Sequence, residues 1–255
     1  MFKVDLNCDL GESFGNSKIG CDEKVIPFIS SANVACGFHA SDPLVMDKTV
    51  EMAQKYGVSV GAHPGLPDLM GFGRRKMDIT PLEAKTMVQY QIGALDAFCR
   101  AHNVKMSHVK PHGALYNMAG KDLELSFAIC EGIKAVNPNL ILLALSGSKM
   151  IEAAKMAGIR YASEVFADRS YNDDGSLVDR KKNGAVITDE NEAIKRVVRM
   201  IKEGYVRSIN QNDIQIEAQS ICVHGDGIKA LEFVKKIRQK FEEENIEILS
   251  LDKWI

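Results

Sequence analysis

The sequence predicts an α/β fold, in which residues 1–255 form a single domain built as a (β/α) barrel of about seven parallel strands. Short β-rich runs alternate with helical patterns about seven times along the chain. The connections are short, as is typical of parallel strands joined by right-handed crossovers. Nearly every run ends in His, Asp, Asn, Glu or Lys beside Gly. This favours a closed barrel, which collects site residues from nearly all its strand ends, over an open sheet with one switch point.

The predicted strands and helices follow one another in a regular order. The strands are predicted at residues 2–8, 31–36, 58–62, 107–110, 140–145, 160–166 and 220–223. Thr80-Pro81-Leu82-Glu83 is a capping box with Pro at the first helical position, and it opens a helix that runs to about residue 102. Apolar stripes at helical spacing predict further helices near residues 44–56, 148–157, 189–203 and 228–241.

Composition excludes several classes of protein. The chain has 255 residues, of which 45% are hydrophobic, so it can bury a full core. Its net charge of -2 argues against a nucleic-acid-binding protein. We expect no membrane helix and no secretory signal, because no apolar run of ~18 residues exists and the first residues are polar. Six scattered cysteines without a C-x-x-C pair predict reduced thiols and a cytoplasmic location, while a homo-oligomer stays open.

The first strand carries polar residues at alternate positions. Asp5, Asn7 and Asp9 therefore share one face, which we expect to point into the barrel, and Glu12 follows the strand. Buried carboxylates are costly unless they bind a ligand or one another. The cluster predicts a functional site, with a self-satisfied structural network as the alternative.

Histidines follow several of the predicted strands, so they should meet at one end of the barrel. His39, His63, His112 and His224 are placed in this way, together with Lys110. Histidine suits proton transfer near neutral pH, and a lysine near the barrel axis is expected to pair with a carboxylate. The candidate catalytic residues are Asp5, Asn7, Asp9, Glu12, His39, His63, Lys110 and His112.

Cofactor and ligand binding leave alternatives open. Two histidines and a carboxylate would suit a divalent metal, but no H-E-x-x-H motif is present, so the metal is unknown. Neither G-x-x-x-x-G-K-[ST] nor G-x-G-x-x-G occurs, so we expect no self-contained ATP site. The polar segment 168–188 is either a lid or a plain surface loop. The candidate substrate-binding residues are Arg74, Arg75, Asn33, Glu164, Arg169, His224 and Asp226.

A series of motifs in fixed order resembles the LamB/YcsF family. The motifs are Asp-Leu-Asn-Cys-Asp-Leu-Gly-Glu, Ala-Cys-Gly-Phe-His-Ala, Gly-Ala-His-Pro-Gly, Gly-Phe-Gly-Arg-Arg, Val-Lys-Pro-His-Gly-Ala-Leu-Tyr, Ala-Asp-Arg-Ser-Tyr, Asp-Gly-Ser-Leu-Val and Val-His-Gly-Asp. Together they extend from Val4 to about Asp226, so the resemblance covers almost the whole chain. Ser41 departs from the pattern, since we expect Gly at that position in the family.

The resemblance implies a fold and an activity. The family fold is a barrel related to the glycoside hydrolase/deacetylase superfamily. The family includes one component of a 5-oxoprolinase, which implies opening of the lactam ring of 5-oxo-L-proline to L-glutamate, coupled to ATP hydrolysis, with partner subunits B and C. A stand-alone metal-dependent amidohydrolase and a non-catalytic subunit that binds a small carboxylate remain alternatives.

If the resemblance holds, the missing phosphate loop suggests that ATP binding and lactam binding are carried out by different subunits. We hypothesise that the partner subunits handle ATP while this chain binds the lactam. Lys110, Arg74 or Arg75 would then hold the substrate carboxylate or the developing oxyanion. Asp9, or a histidine such as His63 or His112, would activate water.

Overall fold

A computed structural model describes residues 1–223 and 228–255, with residues 228–230 described by their backbone alone. The strands of this part of the chain are β1 (Phe2–Leu10), β2 (Ser31–Ala35), β3 (Ser59–His63), β4 (Met106–Val109), β5 (Ile141–Leu145), β6 (Tyr161–Phe166), β7 (Tyr205–Arg207), β8 (Asp213–Gln215), β9 (Ser220–Val223) and β10 (Ile246–Ile248).

Seven of these strands are parallel and close into a barrel in the order β1-β2-β3-β4-β5-β6-β9. The barrel is closed because β9 pairs with β1 as well as with β6. β10 pairs with the first residues of β1, and β7 and β8 form a separate antiparallel pair. The predicted barrel of about seven parallel strands is confirmed, and each predicted strand lies within about two residues of its observed bounds.

The helices cover the outside of the barrel and largely follow the predicted pattern. They are α1 (Asp22–Val25), α2 (Pro43–Tyr56), α3 (Pro81–Ala101), α4 (Gly113–Ala119), α5 (Leu123–Val136), α6 (Lys149–Ala157), α7 (Glu190–Glu203) and α8 (Ile228–Glu243). The capping box of α3 is present as predicted, with Thr80 and Glu83 bonded reciprocally. Helices α1, α4 and α5 were not predicted from the sequence. Helix α5 packs against both α3 and α6, and its buried residues Leu125, Ile129 and Ile133 recur at helical spacing, a stripe that the prediction overlooks.

The barrel strands present two different faces, and this difference positions the site. Leu6, Cys8 and Leu10 are fully buried and belong to the apolar core between the strands and the helices. Asp5 and Asn7 alternate with them and are also fully buried, because they point into the barrel. The barrel interior is therefore polar along β1, where a barrel of this kind usually has apolar layers.

The C-terminal residues close the amino end of the barrel. Leu251 is fully buried against Ile141, Leu143 and Ala162, and the partly buried Trp254 packs on the same group. This apolar layer fills the end at which the parallel strands begin. The polar interior is consequently approached from the opposite end, where the strands finish.

The structure also bears on the predictions about cysteines and membrane helices. All six cysteines are free, in agreement with the expectation of reduced thiols. In the described part of the chain, no helix combines the length and the apolar character that crossing a membrane requires.

Candidate active site

A first polar cluster surrounds Asp5 inside the barrel. It lies toward the amino end of the strands, which we call the lower end; the opposite, open end is the upper end. Ser30 and Ser31 donate hydrogen bonds to its Oδ1 atom over 2.7 and 2.6 Å, and Ser220 donates to Oδ2. Burial raises the pKa of Asp5 to about 6, although the three hydroxyl donors oppose that shift. The structure therefore places Asp5 in a satisfied network below the remaining candidates.

A layer of amides connects this cluster to the upper part of the barrel. The side-chain amide of Asn33 donates to Asn7 Oδ1 over 2.8 Å and to Asp9 Oδ1 over 2.9 Å. His108 Nε2 lies 2.8 Å from Asn33 Oδ1 and so donates to it. Burial, followed by the charge of Lys110, lowers the pKa of His108 to about 3, so this ring is neutral.

Lys110 lies at the centre of the site, between two carboxylates. Its Nζ is 2.9 Å from Asp9 Oδ1 and 2.8 Å from Glu164 Oε1, and it also donates to Asn7 Oδ1 over 3.2 Å. Burial by itself lowers the pKa of the Lys110 ammonium, but the charges of Asp9 and Glu164 outweigh it, so the pKa is raised well above its ordinary value. Lys110 is therefore a fixed positive charge, not a neutral base.

Glu164 and Tyr116 hold that ammonium in place from the side of β6. The Tyr116 hydroxyl donates to Glu164 Oε2 over 2.7 Å. Burial, followed by the charge of Glu164, raises the pKa of Tyr116 well above its ordinary value, so the hydroxyl keeps its proton. The Asp9 side chain is 17% exposed, whereas that of Glu164 is fully buried. Asp9 is thus the partner of Lys110 that a substrate can reach.

A group of four residues above Lys110, which we call the histidine cluster, consists of Glu12, His39, His63 and His112. All four side chains are buried, and one ligand-type atom from each lies within 4.8 Å of the others. His39 and His112 stack with parallel rings 3.7 Å apart, and His63 meets both rings edge-on. His63 Nε2 also lies 3.4 Å from Asp9 Oδ2, which joins the histidine cluster to Lys110.

Backbone carbonyls orient two of these rings. His63 Nδ1 lies 2.7 Å from the carbonyl oxygen of Lys110, and His112 Nε2 lies 2.9 Å from that of Phe72. Burial, followed by the charge of His63, lowers the pKa of His112 to about 3. Burial also lowers the pKa of His39 well below its ordinary value, with contributions from His112 and His63. His39 and His112 are therefore neutral imidazoles near neutral pH.

Two glycines make room for these rings. A Cβ atom added at Gly65 would lie 2.5 Å from His39 Nδ1, and one at Gly73 would lie 2.7 Å from His39 Cβ. Both positions consequently require glycine. Ser41 has a φ of 77°, a left-handed conformation that favours glycine, which fits the family pattern from which this residue departs.

The donor set of the histidine cluster is one that metal ions use. Three imidazoles and a carboxylate suit a divalent transition metal. Among the residues that the structure describes, this is the group of His, Cys, Asp and Glu side chains that meets the distances needed to hold an ion.

Arg74 and Arg75 occupy different environments, although they are adjacent in the sequence. Arg75 forms an ion pair with Asp68, which holds its guanidinium away from the histidine cluster. The Arg74 guanidinium lies 4.9 Å from the centre of the Phe72 ring, and that ring meets His39 and His112 edge-on. Arg74 is exposed and is the arginine of the pair that faces the site.

Arg169 is buried and serves the segment that follows β6. Its guanidinium donates to the carbonyl oxygens of Val178 and Ala185, both in the polar segment 168–188. Burial lowers its pKa to about 10, so it stays charged at neutral pH. The hydroxyl of the fully buried Tyr171 accepts a hydrogen bond from the Phe166 backbone N–H over 2.8 Å, so the segment is anchored to the barrel.

His224 and Asp226, two further predicted substrate-binding residues, lie outside the described residues. Their predicted contacts with the substrate therefore stay predictions.

The sequence reasoning missed His108, Tyr116 and Phe72. His108 had a usable signal, because it lies two residues before Lys110 on β4 and must share its face. Tyr116 follows His112 by one helical turn, so a predicted α4 would have placed both on one side. Phe72 contributes through its backbone carbonyl and its ring, for which sequence offers no signal.

Comparison with known proteins gives a consistent result over the whole chain. The model of the LamB/YcsF family matches residues 4–255. The A subunit of 5-oxoprolinase from Clostridium beijerinckii is 71% identical over 253 residues, which cover 99% of each chain. That from Campylobacter jejuni is 60% identical over 255 residues and 100% of each chain. A solved structure, the lactam utilization protein from Thermus thermophilus, has a TM-score of 0.92 and 43% identity, covering 98% of this chain and 100% of that one.

Proposed function

The chain belongs to the LamB/YcsF family, and on this premise we propose that it acts as the A component of a 5-oxoprolinase, which opens the lactam of 5-oxo-L-proline to give L-glutamate. The observation that carries the proposal is the 71% identity to a relative of that name over 99% of both chains. The geometry of the site supports it. A buried ammonium, a reachable carboxylate and neutral imidazoles lie together at the open end of the barrel, as hydrolysis of an amide bond requires.

Lys110 and Arg74 are suited to the negative charge of the substrate. Lys110 is a fixed, desolvated cation and therefore interacts strongly with an oxyanion that develops on the ring carbonyl. Arg74 lies at the rim beside Phe72 and is available for the substrate carboxylate. Arg75 is less suitable, because its guanidinium already donates several hydrogen bonds to Asp68.

Asp9 is the group that we assign to water activation. It is the more exposed of the two carboxylates beside Lys110, and its Oδ2 lies 3.4 Å from His63 Nε2. Water attacks the ring carbon, the C–N bond breaks, and the nitrogen leaves as the amine after taking up a proton. Asp9, protonated when it activates the water, can deliver that proton to the nitrogen.

ATP enters this proposal through partner subunits. A lactam is a poor electrophile, and phosphorylation of its oxygen by ATP makes the ring carbon easier to attack. After water adds and the C–N bond breaks, the ring-opened product is an acyl phosphate, which a second water hydrolyses to L-glutamate and inorganic phosphate. Since the sequence has no phosphate-loop motif, we assign ATP handling to subunits B and C of a cytoplasmic complex. The names of the relatives, which denote one component of an enzyme with several, support a complex with other subunits.

Glutamate release from 5-oxoproline tests the proposal. We would assay the chain alone and with candidate B and C subunits, each with and without ATP. Release only in the presence of both partners and ATP is the expected result. Release by the chain alone without ATP would overturn the division of labour and favour a stand-alone amidohydrolase. Binding of 5-oxoproline without release under any condition would favour a non-catalytic binding subunit.

A further inference from the structure

We propose that Glu12, His39, His63 and His112 bind one divalent transition-metal ion of the zinc class. This inference goes beyond the proposed function, because nothing in it depends on lactam chemistry, ATP or partner subunits. It rests on which histidine nitrogens of the cluster donate hydrogen bonds, which have no partner, and how far the ligand atoms lie from one another.

Two histidines of the cluster face each other with lone pairs. A neutral imidazole carries one proton, and a carbonyl oxygen can only accept a hydrogen bond. His63 Nδ1 lies 2.7 Å from the Lys110 carbonyl oxygen and His112 Nε2 lies 2.9 Å from that of Phe72, so these two nitrogens carry the protons. The remaining nitrogens, His63 Nε2 and His112 Nδ1, lie 2.9 Å apart. Two facing lone pairs repel, and a cation between them converts the repulsion into two ligand bonds.

His39 provides an independent observation. Its side chain is fully buried, yet neither ring nitrogen has a hydrogen-bond partner among the residues that the structure describes. Buried polar atoms without partners are rare and unfavourable. His39 Nε2 lies 3.8 Å from Glu12 Oε1, which is too long for a hydrogen bond but suitable for two ligands of one ion.

The distances agree with a tetrahedral site. Ligands held at about 2.1 Å from a zinc ion lie about 3.4 Å from one another. The facing nitrogens of His63 and His112 are 2.9 Å apart, and Glu12 Oε1 lies 3.8 Å from both His39 Nε2 and His112 Nδ1. These three separations bracket the tetrahedral value, and all four ligand atoms lie within 4.8 Å of one another, so small side-chain adjustments would bring them around one ion. The carbonyls of Lys110 and Phe72 are the outer partners that ligand histidines usually have.

The donor set selects the class of ion. Three imidazole nitrogens suit Zn²⁺, Co²⁺, Ni²⁺ or Fe²⁺, whereas Mg²⁺ and Ca²⁺ prefer oxygen ligands. The carboxylates favour a cation as well, since Glu12 belongs to the cluster itself and Asp9 Oδ2 lies 3.4 Å from His63 Nε2. The alternative to a metal ion is a proton shared between His63 Nε2 and His112 Nδ1, which would also remove the repulsion of the two lone pairs.

Metal titration of the purified full chain, stripped with a chelator and without ATP, substrate or partners, tests the inference. Co²⁺ is followed by visible absorption, whose intensity reports tetrahedral coordination, and Zn²⁺ by calorimetry. We expect saturable binding of one ion per chain. His39→Ala and Glu12→Gln should each weaken it by about 100-fold or more, which exceeds the effect of losing an outer partner. His102→Ala is the matched control and should bind as the wild type does, because His102 pairs with Asp47 outside the cluster.

Absence of saturable binding in the wild type would overturn the inference and favour the shared proton. Binding that both variants leave unchanged would overturn it as well. Glu12→Gln keeps the size and shape of the side chain, so it gives a folded protein for the test even if His39→Ala does not fold; circular dichroism checks this. A chain that binds metal but releases no glutamate with its partners would contradict only the proposed function, so the two failures are distinguishable.

Discussion

The two polar clusters inside the barrel each contain one buried carboxylate and three other polar side chains, but they differ in how their polar atoms are satisfied. At the lower end, Asp5 accepts hydrogen bonds from three serine hydroxyls. At the upper end, His39 is equally buried, yet its two ring nitrogens have no hydrogen-bond partner in the described chain. The lower cluster is complete as it stands, and the upper cluster is complete only with a ligand.

This difference separates structural polarity from functional polarity. Burying a polar group without a partner costs about 1–3 kcal/mol, so a fold retains such a group only where it serves another purpose. Burial alone does not distinguish the two clusters, because both are inaccessible to solvent. Substitutions in the upper cluster should therefore change activity more than stability, and those in the lower cluster should do the reverse.

The largest expected effect is that of Lys110→Met. The substitution removes the ammonium that we propose stabilises the oxyanion, and it leaves Asp9 and Glu164 as uncompensated carboxylates. We expect glutamate release by the complete complex to fall by about 10²–10⁴-fold, and the free energy of unfolding to fall by about 3–5 kcal/mol. The measurements are turnover and denaturant unfolding.

Lys105→Met is the matched control for this substitution, because Lys105 is exposed just before β4. It should leave both quantities near the wild-type values. Turnover of Lys110→Met within about threefold of the control would contradict the central position of this ammonium in the reaction.

His39→Leu should separate activity from stability. Leucine is close to histidine in volume and removes two unpartnered nitrogens, so the metal-free protein should be as stable as the wild type or more stable by about 1 kcal/mol. Turnover should nevertheless fall by about 100-fold, because the upper cluster loses one of its members. Unfolding in the presence of a chelator and turnover of the same preparation are compared. A loss of more than about 2 kcal/mol would show that His39 is structural.

Asp5→Asn tests the lower cluster through the pH dependence of stability. The pKa of Asp5 is about 6 in the folded protein, against an ordinary value of 3.8, so the folded state holds the proton more tightly than the unfolded chain. Ionisation of Asp5 therefore lowers stability as the pH rises from about 4 to about 6, by up to about 3 kcal/mol. Asparagine cannot ionise, so the variant should lose less stability over this pH range than the wild type.

Asp78→Asn, at an exposed carboxyl, is the control and should keep the wild-type pH dependence. Activity per folded Asp5→Asn molecule should stay within about fivefold of the wild type. A much larger loss would return Asp5 to the catalytic residues among which its sequence position placed it.

Much of the fold and part of the site could be predicted from local sequence. Alternation along β1 predicted that Asp5, Asn7 and Asp9 face one way, and their shared contacts with Ser220 and Asn33 confirm it. The placement of His39, His63 and His112 after three strands predicted their convergence, because parallel strands end on the same side.

Other features depended on contacts that no local pattern encodes. The adjacent residues Arg74 and Arg75 looked equivalent in the sequence. In the structure, Arg75 forms an ion pair with Asp68, whereas Arg74 lies over the Phe72 ring. Asp5 and Asp9 looked equivalent on one strand face, but the hydroxyls of Ser30 and Ser31 satisfy only Asp5. Each distinction is set by residues from a different strand or loop.

The sequence by itself determined which residues enter the barrel, because strand period and strand order are local properties of the chain. Tertiary structure decided which of those residues have their hydrogen-bonding and charge requirements met by a partner. Lys110 meets Glu164 only when β4 and β6 lie in one closed barrel, and the lone pairs of His63 and His112 face each other only because two backbone carbonyls fix the rings. Hydrogen bonds and charges act over a few ångströms, so their pairing is settled only when distant segments are brought into contact.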